Sequence, residues 1–129
     1  MTSLPSQRRR LAALGQVLLL FLLLPAAVPG HWLAPEEIIA GFNQNAALKQ
    51  ATGVVSARRD PKLPRLLLIR VDRETWDKIP ADKRLEIAQD WQDTWRHNVE
   101  EGIVAVLDAK TDKSLINYDG AGKARLVSK

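Results

Sequence analysis

Glu86, Asp90, Asp93 and His97 fall at offsets of 0, 4, 7 and 11, the spacing of side chains that share one face of an α-helix. Within that set Asp90, Asp93 and His97 offer two carboxylates and an imidazole, and Asp93 with His97 is an i, i+4 pair able to clamp a divalent cation. The chemistry on offer is a small metal- or ligand-binding site, or an acidic stripe for a basic partner. An ordinary solvated helix face has the same composition. That is the preferred reading, because one helix seldom supplies a full ligand set and no cysteine or second histidine cluster stands nearby. No cofactor is expected.

Other chemistries are poorly served. There is no cysteine, and His31 and His97 are the only histidines available as bases. Neither Gly-x-Ser-x-Gly nor Ser-x-x-Lys occurs, so nothing pairs a nucleophile with its activator, and an enzyme is not expected. Asp119-Gly120-Ala121-Gly122-Lys123 is rich in glycine like a phosphate loop, but a Walker loop has four residues between its glycines and Ser or Thr after the lysine. Here Ala121 alone separates the glycines and Ala124 follows, which suits a hairpin turn better.

Contact residues are sought elsewhere. Trp91 and Trp95 belong to an apolar helix face and are expected in the core, whereas Trp32 follows an apolar run and suits a membrane interface. Trp76 stands in the polar stretch Asp72 to Lys78, where open α/β sheets place ligands, and is expected to meet a partner. Arg58 and Arg59 join it as candidate partner-binding residues. Nucleic acid is not expected, since no aromatic residues interleave with the basic ones.

The elements that must position these residues begin at the N-terminus. Arg8, Arg9 and Arg10 precede an apolar stretch from Leu11 to Val28 interrupted only by Gln16 as a polar residue, the layout of an export signal or an uncleaved membrane anchor. Residues 1–30 are read in this way, and the remainder is expected outside the cytoplasm, in the periplasm or on the outer face of the inner membrane, or secreted after cleavage. The formal net charge of the chain is +4, so without those three arginines it is close to neutral. The absence of cysteine excludes a disulfide-stapled secreted module and leans toward a bacterial envelope protein.

Residues 31–64 read as an amphipathic helix from Pro35 to Thr52, ended by Gly53, and then a basic loop from Val54 to Pro64. Residues 65–129 read as a small α/β domain. Arg65 to Val71 is an apolar run expected to be a strand buried on both faces. A strongly amphipathic helix from Pro80 to about Val99 follows, closed by Gly102, and then a second strand from Ile103 to Asp108. These are the ingredients of a right-handed βαβ crossover. Ser114 to Tyr118 and Lys123 to Val127 add an antiparallel hairpin. The expected class is α+β, a two-layer domain with a mixed sheet of three or four strands and one or two helices. The expected function is a non-enzymatic interaction or accessory protein of the bacterial envelope with a protein partner, reaching the membrane through its N-terminal helix if that is retained.

Overall fold

A computed structural model describes residues 32–127. The signal or anchor assigned to residues 1–30, and His31, lie outside the described residues. The class is α+β, and the described residues form four helices, a three-stranded mixed sheet and a two-stranded antiparallel sheet.

Pro35 pre-sets the backbone for helix α1 (Pro35–Gln44), and Glu36 and Glu37 face the positive end of its dipole. The helical pattern does not run unbroken to Thr52. Asn45 adopts an extended conformation (φ −83°, ψ 98°), and its side chain accepts from the Leu48 N–H, restarting the chain as α2 (Ala46–Thr52). Asn is a strong N-cap because its short side chain satisfies an otherwise orphaned donor, and here that preference overrides the surrounding helix formers.

Gly53 ends α2 with φ 81°, and a Cβ there would stand 2.9 Å from the Asp72 carbonyl oxygen and from Thr75 Cβ. Both the torsion and the approach require glycine. The expected basic loop is corrected beyond this point. Val54–Arg59 forms strand β1, antiparallel to β2 (Leu66–Val71), and the prolines Pro61 and Pro64 are confined to the turn between them. β1 forms the sheet edge, and the Asn43 amide bonds both the N–H and the carbonyl of Ala57 at 2.9 Å, blunting it.

β2 pairs in parallel with β3 (Ile103–Asp108), joined by α3 (Arg73–Asp77) and α4 (Ala81–Asn98). The βαβ unit is present as expected, although β2 is not buried on both faces. Leu67, Ile69 and Val71 are fully buried, while Leu66, Leu68 and Arg70 are half-buried, because the helices cover one side of the sheet. Beneath the helices lie Ala57, Val104, Val106, Ile87, Ala88, Phe42 and Leu48 with three tryptophans. The C-terminal hairpin, β4 (Ile116–Tyr118) and β5 (Ala124–Leu126), forms its own two-stranded sheet instead of extending the first. A bridge between Leu107 and Ser114 leads into it.

Residues 32–127 belong to one compact unit, so α1, α2 and β1 are part of the same body as the βαβ unit. Among the described residues no helix is long and apolar enough to cross a membrane.

Asp72 caps α3. Its carboxyl lies below the ordinary value of 3.8, chiefly because the Thr75 hydroxyl donates to it at 2.7 Å and then because the Thr75 N–H does so at 3.2 Å. A group with a lowered folded-state pKa stabilises fully above its unfolded value and loses that contribution as pH falls through the folded value. Melting temperature is therefore expected to fall as acid is added below pH 3.8, and to fall less steeply in Asp72→Asn. Circular dichroism melts between about pH 5 and pH 2 check this, and equal slopes in the two proteins would contradict it.

Candidate functional site

Strand alternation divides the two candidate arginines. Ala57 opposes Ile69, and Arg59 opposes Leu67, so both face the helices. The Arg59 guanidinium lies 5.6 Å from the centroid of the Trp95 ring and reaches Glu36 Oε1 at 3.2 Å. Arg59 is therefore a half-buried lid over the core edge. Arg58, one residue earlier, points the other way and is exposed.

On Arg58's side no described helix packs. The register places Ser56, Arg70 and Leu107 in one row, Arg58, Leu68 and Ala105 in the next, and Leu66 beside Ile103 in a third. β3 therefore contributes only apolar residues to this face, with Ile103 36% exposed, and its cations are Arg58 of β1 and Arg70 of β2. Arg70 Nε donates to Asp112 Oδ1 at 2.8 Å, whereas the strand residues of the face itself include no acid. A surface of this kind matches an apolar segment flanked by carboxylates.

Trp76 is corrected from a contact residue to a core residue. It is 1% exposed, because α3 turns this one side chain of the polar connection inward, against Trp91 of α4. Its ring stacks on Trp91 at 5.6 Å, and Trp91 meets Phe42 edge-on at 5.4 Å. The period of a five-residue helix is too short to reveal which side chain points inward.

The acidic stripe does not assemble as a metal site. Among the described residues no group of three or more His, Asp or Glu side chains is placed to hold an ion. Asp93 accepts from Gln89 Nε2 at 3.0 Å, and His97 stacks on Trp32 at 4.3 Å with an interplanar angle of 12°. Asp90 remains as a partly buried carboxyl, raised above its ordinary value first by desolvation and then by the nearby charges of Asp93 and Glu86. Trp32, 69% exposed, is held where the chain enters the domain, with the Leu33 N–H donating to Asn98 Oδ1 at 2.7 Å.

Two glutamines of α4, Gln89 on its half-exposed side and Gln92 on its buried side, turn out to be backbone clamps. Gln89 accepts from the Ala124 N–H at 2.8 Å and donates to the Gly122 carbonyl at 2.9 Å, holding the β4–β5 turn against the helix. Gln92, 3% exposed, accepts from the Val104 N–H at 2.8 Å. Comparison of the chain with protein-family models, with curated proteins and with solved structures gives no match.

Proposed function

We propose that the protein is an exported, non-enzymatic interaction module of the cell envelope, carried out of the cytoplasm by residues 1–30, which holds a protein partner on the open face of its sheet. The observation that carries this reading is the face on which no described helix packs, where the half-buried Leu66, Leu68, Ala105 and Leu107 and the exposed Ile103 are interspersed with Arg58 and Arg70. Apolar side chains contribute to affinity by leaving water, and the arginines select a partner whose own apolar residues are bordered by Asp or Glu. Stacking a second copy face to face would bring two Arg58 guanidiniums into one interface with no strand acid to answer them, which favours a different partner.

A photo-crosslinking side chain at Leu68 or Ala105 of the full chain, in envelopes of its native cell, tests this. The expected product is one discrete conjugate whose partner peptide is apolar and acid-flanked, absent when the probe sits at the exposed Lys83 of α4 and lost on Arg58→Glu. No conjugate, a conjugate with a second copy alone, or equal labelling from Lys83 would overturn the reading.

A further inference from the structure

A cleft of about 390 Å³, which meets the open sheet face only at Ile103, opens between the C-terminal end of α4, the connection into β3 and the β4–β5 turn. Arg65, Gln92, Arg96, Tyr118, Gly120 and Gly122 line it. We infer that this cleft is a binding site for an oxyanion, the carboxylate or phosphate group of a small ligand.

The argument rests on which polar groups remain available. Gln92 is 3% exposed, and its Oε1 is committed to Val104, which turns the amide Nε2 toward Gly122, 3.6 Å from where a Cβ would stand. A nearly buried donor therefore forms the floor. Arg96 forms a wall, its guanidinium lying so close to Gly122 that any Cβ there would collide with it. Gly122 has φ 83°, so its torsion and this close approach both demand glycine. The i, i+4 spacing of Arg96 and Glu100 suggests an ordinary helical ion pair, but α4 ends at Asn98 and Val99 is extended, which takes Glu100 off the helical position. Arg96 instead makes one long bond, 3.4 Å, to the Ala121 carbonyl oxygen. Among the described residues no carboxylate lies within ion-pair distance of it.

The two acids on the rim are already engaged. Asp119 accepts from the Ala121 and Lys123 N–H groups and pairs with Arg125 at 3.7 Å, and Glu101 pairs with Arg65 at 3.6 Å. The Tyr118 hydroxyl donates to the Ala88 carbonyl oxygen, leaving its ring as an apolar side wall. The balance is one guanidinium without a carboxylate beside a buried amide donor, a pair that matches an oxyanion's acceptors. The volume falls within the range of small-ligand sites.

Inorganic phosphate and acetate, each titrated at constant ionic strength into the full isotope-labelled chain in nonionic detergent, are the probes. A saturable shift of the Gln92 side-chain amide and the Gly122 N–H is expected with at least one of them. The apparent Kd should rise by about tenfold or more in Arg96→Gln, as for loss of one charge-assisted hydrogen bond, and stay unchanged in Arg58→Gln on the other side of the sheet. A response to phosphate alone assigns a phosphorylated ligand, and a response to acetate alone assigns a carboxylate. No shift with either anion, a shift that never saturates, or an equal loss in Arg58→Gln would overturn the inference. Arg65→Gln is the second variant, expected to weaken binding less because Arg65 already serves Glu101.

Discussion

Replacing Trp76 with alanine is expected to destabilise the domain by about 3–5 kcal/mol, the range for removing a buried tryptophan and leaving the space behind it. The side chain is 1% exposed and stacked on Trp91, which in turn packs against Phe42, so the vacated volume is bordered by rings that cannot collapse into it without leaving their own contacts. Its indole Nε1 is buried with no hydrogen-bond partner, so Trp76→Phe gives up no hydrogen bond and should cost much less than the alanine change. Trp32→Ala, removing a ring that is 69% exposed, should have a far smaller effect than either. Urea unfolding of the three variants measures this ordering. A Trp76→Ala protein as stable as Trp32→Ala would return Trp76 to the surface and restore its candidacy as a contact residue.

Trp76 also shows where sequence patterning reaches its limit. Helix α4 was readable because it repeats its 3.6-residue period several times, and strands β2 and β3 because each is a short apolar run, rich in branched residues and bounded by turn-forming ones. The sequence Arg73-Glu74-Thr75-Trp76-Asp77 completes little more than one helical turn, and four of its five residues are polar or charged. Only the Asp72 cap, a local signal, marks the element.

Strand β1 is obscured for a different reason. Its core-facing register includes Arg59, which snorkels to Glu36 across Trp95, so the alternation of Val-Val-Ser-Ala-Arg-Arg carries a charge where an apolar residue is expected. Missing β1 had a consequence for the candidate site. Without that strand, Arg58 and Arg59 read as one basic patch, whereas pairing sends them to opposite faces and leaves Arg58 alone beside the apolar rows of β2 and β3. The acidic stripe was legible as a helix face but not as a set of partners. Trp32 and Gln89, remote or unremarkable in sequence, engage His97 and Asp93.

Gln92→Leu is expected to cost about 1–3 kcal/mol although it replaces a polar residue by an apolar one of similar size in an almost dry position. Helix burial alone would favour leucine, since the residue is 3% exposed and lies one place along from Trp91. The opposing effect is larger. The Val104 N–H, at the start of the β3 ladder, donates to Gln92 Oε1 at 2.8 Å, and leucine would leave that donor buried with no acceptor. An unmatched buried N–H loses the full free energy of its former hydration, while the gain from the extra apolar contact is limited by a site already filled. Gln92→Glu separates the two contributions. It keeps an acceptor for Val104, but adds a buried charge and removes the Nε2 donor from the floor of the cleft. If the Val104 bond dominates, amide hydrogen exchange at Val104 should accelerate strongly in Gln92→Leu and remain slow in Gln92→Glu at a pH where the new carboxyl is protonated. If burial dominates, Gln92→Leu should match or exceed the native stability in urea and Val104 should stay protected, and the glutamine would then be held in place by the cleft it serves instead of by the fold.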